Sequence, residues 1–302
     1  MENGYVTTVG MFDGVHLGHR SIISQTIEIA KRQGLSSLVV TFDRHPLSVI
    51  SPAAAPLSLS GVEERVKLIS LLGVDKVVVL PFDESLRQMT ASQFIKDVLI
   101  DRLDTRILVI GHDHGFGSDR VRGIEAFSKI GRENAIDVIE ASYWGRERVC
   151  SSAVREYLAG SDISSANRLL GRPYSISGTV VKGRQIGRTI GFPTANIVPP
   201  PNTALPGRGV YAALISDGTE KIDRPAMVNI GLAPTVTDEG RLTIEAHILD
   251  FKDDLYGHNL NLKFIARLRD EKRFDSLEEL KKQLEKDLED TLRTVDNYVE
   301  NP

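Results

Sequence analysis

Residues 5–42, YVTTVGMFDGVHLGHRSIISQTIEIAKRQGLSSLVVTF, decide how the first half of the chain folds. YVTTVGM is rich in β-branched residues and reads as a strand. Residues 16–33 carry apolar side chains at helical spacing, and LSSLVVTF at 35–42 is a near-continuous apolar run, which suits a strand covered on both faces. Between strand and helix lies GMFDGVHLGH, residues 10–19, with three glycines, one Asp and two histidines. Glycine clears side chains so that a ligand can approach the backbone, and imidazole supplies a donor able to carry charge. A strand–loop–helix turn of this kind falls at the carboxyl edge of a sheet, where helix N-termini hold phosphate. His16 and His19 are three apart and share one face of the first helical turn. Two imidazoles there suit the charge that develops on a phosphorus under in-line attack.

The same alternation continues outward. SGVEERVKLISLLG at 60–73 reads as a helix opened by a Ser60/Glu63 capping box and stopped by Gly73. KVVVLPF is a strand, Thr90 and Gln93 open another capped helix, and RILVIG at 106–111 returns to strand. Apolar strands alternating with capped helices give an α/β unit with a doubly wound, Rossmann-like parallel sheet. The character changes near residue 170. From SISGTVVKG onward, short β-branched segments are separated by PPPN, PGRG, SDG, DEG and YGHN, a spacing that predicts an antiparallel barrel or sandwich. At the end, Ser276 and Glu279 form another capping box, followed by Leu277, Leu280, Leu284, Leu288, Leu292, Val295 and Val299 as the apolar stripe of a charged helix. The expected organisation is a first domain over 1–160, a linker over 161–174 and a second domain over 175–302.

Composition bounds the function. The chain has 302 residues, 41% hydrophobic and 26% charged, an ordinary globular balance with material for about two domains. A formal net charge of −4 argues against a general affinity for nucleic-acid backbone. The single cysteine, Cys150, excludes an intramolecular disulfide and a cysteine zinc site. MENGYVTTVG lacks a basic segment followed by a long apolar one, and no run reaches membrane-spanning length. A cytoplasmic protein with neither nucleic-acid nor membrane partners is the expectation.

Five further stretches carry candidate chemistry. SSAVRE at 151–156 places Ser151 or Ser152 at a helix start and Arg155 in its first turn as a fork donor for phosphate. TFDRHP at 41–46 and GHDHGFGSDR at 111–120 each follow a strand at the same sheet edge. Their histidines come with no supporting carboxylate pattern, so a protein-ligated metal is not expected there. VKGRQIGRTIGFPTANI at 181–197 is either a hairpin turn or a flap in which Lys182, Gly183, Gly187, Arg188 and Gly191 cradle phosphates. Thr194 and Asn196 point to one side of an extended segment, as a polar face or as hard oxygen donors for Mg²⁺ shared with substrate phosphates. In RLTIEAHILDF, the alternation of Leu242, Ile244, Ala246 and Ile248 puts Glu245 on the opposite face with Thr243 and His247. There Glu245 is either an exposed strand residue or the base that a kinase needs for an attacking hydroxyl.

FDGVHLGH resembles the signature of the HxGH nucleotidyltransferases, and SSAVRE is similar to their second signature, Ser-Ser-x-x-Arg. That resemblance implies nucleotide- or phosphate-binding roles for Gly10, Phe12, Asp13, Gly14, Gly18, Ser151, Ser152 and Arg155, with His16 and His19 catalytic. The loops at 41–46 and 111–120 resemble those of the flavin-adenylating branch, which implies a flavin contact at His45 and a nucleotide contact at Asp113. That branch usually carries Arg before its Phe-Gly, where this chain has Gly115. GRPYSISGTVVKG, GFPTANI, GVYAALI, MVNIGLAPTV, IEAHILDFKDDLYG and FIARLRDEKRFDSLEELKKQLEKD resemble, in order, the segments of riboflavin kinase. The implied fold is a small antiparallel six-stranded β-barrel with a carboxyl-terminal helix. The implied roles are Mg²⁺ and ATP at Thr194 and Asn196, base at Glu245 and flavin closure at Arg269. Together the halves resemble the bacterial bifunctional riboflavin kinase/FAD synthetase family. Expected substrates are riboflavin, FMN and ATP, with Mg²⁺ as cofactor and FMN and FAD as products.

Overall fold

The structure, a computed structural model, describes residues 4–112, 114–142, 149–183, 187, 190–216, 223–232, 242–251 and 253–300. The chain divides into two compact units, Met1–Ser151 and Ser152–Pro302.

In the first unit, β1 (Tyr5–Val9), α1 (Leu17–Gln33) and β2 (Ser36–Phe42) form the expected strand–helix–strand. There follow α2 (Pro46–Ile50), α3 (Val62–Ser70), β3 (Lys76–Leu80), α4 (Glu84–Gln88), α5 (Ala91–Gln93), β4 (Thr105–Ile110), a hairpin of β5 (Gly115–Phe116) and β6 (Val121–Arg122), α6 (Ile124–Glu133) and β7 (Asp137–Glu140). The sheet order is β3-β2-β1-β4-β7, with every neighbour parallel. Alternation along each central strand feeds both faces. Leu38 and Val40 join Phe94, Ile95 and Phe127 on one side, whereas Val39 joins Ile23, Ile27 and Ile69 beneath α1 and α3 on the other. Two apolar faces, each covered by helices, are what a doubly wound parallel sheet requires. The order reverses between β1 and β4, so the crevice beyond their carboxyl ends is the switch point where such sheets hold ligands.

The helix signals fared unevenly. Thr90 and Gln93 form the expected capping box, Thr90 Oγ1 accepting from Gln93 N at 3.2 Å and Gln93 Oε1 accepting from Thr90 N at 2.9 Å. That helix widens at once into a π-helical turn over Phe94–Ile100. Ser60 does not cap α3, whose N-cap is Gly61 with no side-chain hydrogen bond. Its hydroxyl is drawn instead to the loop after β1, for the reason given below.

The second unit opens with α7 (Ser151–Ala159), which straddles the division, and α8 (Ile163–Leu170). Residues 161–174, expected as linker, therefore contain a helix capped by Asp162. Asn167 fastens it to the barrel, donating to Phe264 O at 2.9 Å and accepting from Tyr174 N at 2.7 Å. The remaining strands are β8 (Tyr174–Val181), β9 (Ala195–Val198), β10 (Gly209–Ser216), β11 (Arg224–Leu232), β12 (Leu242–Ile248) and β13 (Asn259–Arg269), and α9 (Leu277–Glu300) ends the fold. The strands close into a six-stranded barrel, β10-β11-β12-β9-β8-β13, antiparallel at every seam. Closure leaves no edge strand to recruit another chain.

Helix α9 lies over β10, β11 and β13, which explains why seven successive residues of β10 are buried. The docked face overlaps the stripe read from the sequence without matching it. Val295 is buried and Leu280, Leu284 and Leu288 are half-buried, Asp287 and Thr291 are buried beside them, and Leu277, Leu292 and Val299 are exposed. The cause is an ion pair: Arg269 grips Asp287 through Nε at 2.9 Å and Nη2 at 2.6 Å, and Gln283 donates to the same carboxylate. A buried carboxylate that must meet its guanidinium sets the helix rotation, because leaving either charge unpaired is costly.

Candidate active sites

In the first unit the loop after β1 is held in an unusual backbone path. Phe12, Gly14 and Val15 all have positive φ, at 49°, 76° and 42°, and for Phe and Val that is a strained conformation which surrounding contacts must enforce. Asp13 supplies them. It is 3% exposed, and its carboxylate accepts from Leu59 N at 3.0 Å and Ser60 N at 3.1 Å. Ser60 Oγ accepts from Gly14 N at 3.0 Å and lies 3.4 Å from Asp13 Oδ1. Ser151, at the start of α7, donates to Asp13 O at 2.9 Å. Asp13 thus shapes the loop rather than presenting a free carboxylate.

The two histidines meet. His16 is the N-cap of α1, its Nδ1 accepting from His19 N at 3.2 Å. An accepting Nδ1 leaves the ring hydrogen on Nε2, which fixes the tautomer. His19 stacks on His16 with ring centroids 3.5 Å apart and an 18° interplanar angle, and Phe12 meets His19 edge-on at 5.2 Å. Burial, then the His16 ring and the Arg65 guanidinium, hold His19 well below the usual histidine pKa. It therefore stands neutral at physiological pH, with Nδ1 buried and without a hydrogen-bond partner. Gly10 and Gly18 make room for this packing: an added Cβ would lie 3.0 Å from the Phe12 ring and 3.3 Å from the His16 ring. His45 likewise caps its helix, Nδ1 accepting from Leu47 N at 3.1 Å.

The loop after β4 is packed through Gly115 and His114. A Cβ on Gly115 would lie 2.7 Å from Arg122 Cγ, so glycine seats the Arg122 stem across the hairpin, where the two residues are paired. His114 packs near Phe116 and Phe127, with centroids at 5.4 and 6.1 Å, and its buried Nε2 has no partner. Burial lowers its pKa to about 4. An unfolded histidine protonates below about 6.5, while the folded one stays neutral until about 4. The unfolded chain then binds more protons, and stability falls as pH drops through that window. His114→Phe removes both this penalty and a buried unsatisfied nitrogen that costs about 1–3 kcal/mol. The thermal midpoint of the first unit should rise, and by more at pH 5 than at pH 8; an equal or negative shift at both would refute the account. Asp113 lies outside the described residues, and Ser152 and Arg155 lie beyond the division between units.

In the second unit the register does the assembling. Glu245 of β12 pairs directly with Asn196 of β9 on one side and Asn229 of β11 on the other. Its neighbours Ile244 and Ala246 are buried in the barrel, so Glu245, Thr243 and His247 face outward. Among the described residues no hydrogen bond engages the Glu245 carboxylate. Asn196 also pairs with Val181 of β8, and its amide fills the space beside Gly183, where an added Cβ would lie 2.5 Å from Asn196 Cγ. Glycine at this position leaves the Asn196 amide its room.

The turn that carries Thr194 is fastened from below. His247 Nδ1 lies 2.8 Å from Pro193 O and its ring packs 5.2 Å from Phe192. Gly187 O accepts from Phe192 N at 2.8 Å, and Gly191 has a φ of 87° with open space around it. Lys182 Nζ is 6.0 Å from the Tyr256 ring, and Arg188 lies outside the described residues. Arg269 stands apart from this cluster, spent on Asp287. Sequence reasoning placed His247 on the Glu245 face without a role, gave Ser60 a different role and missed Asn229 and Arg65. Asn229 faces Glu245 across the ladder, a signal that becomes readable only once strand pairing is known.

Comparison with known proteins covers both units. The family model for FAD synthetase matches residues 1–153, and that for riboflavin kinase matches residues 170–295. The bifunctional riboflavin kinase/FMN adenylyltransferase of Escherichia coli (strain K12) is 38% identical over 288 residues, covering 95% of this chain and 91% of its own. Its counterpart in Pseudomonas fluorescens is 38% identical over 289 residues, covering 95% and 92%. A crystal structure from Streptococcus pneumoniae, described as a macrolide-efflux protein, shares the fold with a TM-score of 0.83 at 29% identity, covering 96% of this chain and 94% of that one. No helix among the described residues is long and apolar enough to cross a membrane.

Proposed function

The chain belongs to the bifunctional riboflavin kinase/FMN adenylyltransferase family, and from that membership we propose which residues carry each of its two reactions. It phosphorylates riboflavin to FMN with ATP, and it transfers AMP from ATP to FMN, yielding FAD and pyrophosphate. The proposed division assigns residues 1–160 to adenylyl transfer and 175–302 to phosphorylation, with 161–174 between them, in a protein working in the cytoplasm beside its ATP supply.

For phosphorylation, Glu245 takes the proton of the ribityl 5′-hydroxyl as its oxygen attacks the γ-phosphorus and ADP leaves. The reading rests on one observation, the direct pairing of Glu245 with Asn196 on the outward face. Thr194 and Asn196 would hold Mg²⁺ together with ATP phosphates, and their neutral oxygens fit an ion that keeps its other positions for phosphate and water. Bound there, Mg²⁺ supplies neutralisation of phosphate charge. Lys182, Gly183, Gly187, Arg188 and Gly191 form the flap over ATP, and Arg269 acts on flavin through the turn that its Asp287 pair holds in place.

For adenylyl transfer, an FMN phosphate oxygen attacks the α-phosphorus of ATP and the bond to the β-phosphate oxygen breaks, releasing pyrophosphate. His16 and His19 stabilise the charge that develops there. Gly10, Phe12, Asp13, Gly14, Gly18, Asp113 and Ser151 form the nucleotide seat, Ser152 and Arg155 are assigned nucleotide binding by their signature alone, and His45 contacts flavin. Positioning and electrostatics suffice, without a covalent intermediate.

Mg²⁺ titration of the purified protein, with riboflavin, FMN and FAD separated chromatographically, tests the metal assignment. Asn196→Ala should raise the Mg²⁺ needed for half-maximal FMN formation by about tenfold, the loss of one good ligand interaction, and leave conversion of supplied FMN to FAD unchanged. An unaltered Mg²⁺ requirement removes Asn196 from the metal site.

A further inference from the structure

The two buried residues of α3 are Ile69 and, one turn earlier, Arg65. Arg65 is 1% exposed. Its Nη2 donates to Phe42 O at the end of β2, and its Nε is closed off from solvent with no hydrogen-bond partner. Among the described residues no carboxylate reaches it in an ion pair; Asp13 and Asp43 attract it from further away. Both of those carboxylates are occupied elsewhere. Asp13 accepts from Leu59 and Ser60, and Asp43 accepts from Phe82 N at 2.8 Å and from Arg44.

A guanidinium buried without a touching counter-charge is expensive to keep. Three elements surround this one, all at the carboxyl edge of the sheet: the Asp13 loop, the first turn of α1 with His19, and the end of β2. Its charge is felt by His19. We propose that Arg65 is a positioning residue for adenylyl transfer, a buried cation that braces the end of β2 beneath the Asp13 loop and directs its positive field toward the leaving pyrophosphate. It does not touch substrate, because its free donor is sealed from solvent. The missing counter-charge is the polyphosphate of ATP itself, which arrives with the substrate and gains negative charge at its bridging oxygen as the bond breaks. This inference rests on placing adenylyl transfer at the His16/His19 loop.

The test uses the full chain, FMN and ATP, with inorganic pyrophosphate as a product inhibitor. Arg65→Gln retains a donor for Phe42 O and loses the charge; Arg65→Lys keeps the charge. Arg65→Gln should lower kcat for FAD formation at least about tenfold and weaken pyrophosphate inhibition to a similar degree. The KM for FMN should stay within about twofold, and Arg65→Lys should recover most of the loss. Riboflavin phosphorylation reports that the rest of the chain is intact. Wild-type behaviour of Arg65→Gln, or equal impairment of both variants with unchanged pyrophosphate inhibition, overturns the proposal. If circular dichroism shows Arg65→Gln unfolded, Arg65→Lys decides alone: folded and active supports the role of charge, folded and inactive overturns it. His19→Ala run in parallel separates the two readings. Full FAD synthesis in that variant defeats the site assignment and this inference with it, whereas its loss beside a wild-type Arg65→Gln defeats this inference only.

Discussion

Glu245→Gln should abolish conversion of riboflavin to FMN while supplied FMN is still turned into FAD at the wild-type rate. The expected loss is on the order of 10²–10⁴-fold, the usual contribution of a positioned general base. The size follows from what the substitution leaves alone. Glutamine keeps the length and shape of the side chain, and the strand is held by Ile244 and Ala246 inside the barrel and by ladder pairs on both sides. Stability should barely change. What disappears is the group that accepts the hydroxyl proton, and Asn196, Asn229 and His247 on the same face cannot replace it: two are amides, and the His247 ring is turned to Pro193 O. Chromatography of flavins after incubation with riboflavin and ATP, then with FMN and ATP, reads the two steps separately. Loss of both activities, or of neither, would remove Glu245 from its role.

That prediction was nearly legible in the sequence, because a strand face follows from alternation alone. The same holds for the parallel sheet, where β1, α1 and β2 begin and end within a residue or two of the pattern that announced them. Legibility failed where a residue serves a distant partner. Ser60 stands where a helix cap belongs, yet its hydroxyl closes the loop of Asp13 and Gly14, and no local rule weighs a partner 46 residues away. Arg65 left a fainter mark, a charge one turn before Ile69 on the apolar side of α3, where an aliphatic residue would ordinarily stand. Helix α9 was legible in part. Leu280, Leu284, Leu288 and Val295 do face the barrel side, but the Arg269–Asp287 pair also brings a carboxylate and a threonine inward, which the stripe does not announce. Local propensity reads backbone and burial well; it cannot see a long-range charge pair that overrides them.

His19→Ala should stop FAD formation by about 10²–10³-fold, the usual effect of deleting one donor to developing charge, and leave riboflavin phosphorylation untouched. Two features make the expected effect large. The ring stacks on His16 at 3.5 Å and meets Phe12 edge-on, so it fixes the partner imidazole as well as offering its own. It is also neutral, since burial first, then the neighbouring His16 ring and the Arg65 guanidinium, keep it well below the ordinary histidine pKa. A neutral imidazole still carries one ring N–H able to donate to phosphate, and burial holds His19 in that form at physiological pH. FAD formation should therefore show no fall near neutral pH that His19 titration would explain. The assignment is wrong if the Ala variant, folded by circular dichroism, makes FAD at the wild-type rate. His19→Asn refines the outcome, because it restores a neutral donor without the ring. Partial recovery locates the effect in hydrogen bonding to phosphate, and no recovery locates it in the stacked geometry that holds His16 to its cap on α1.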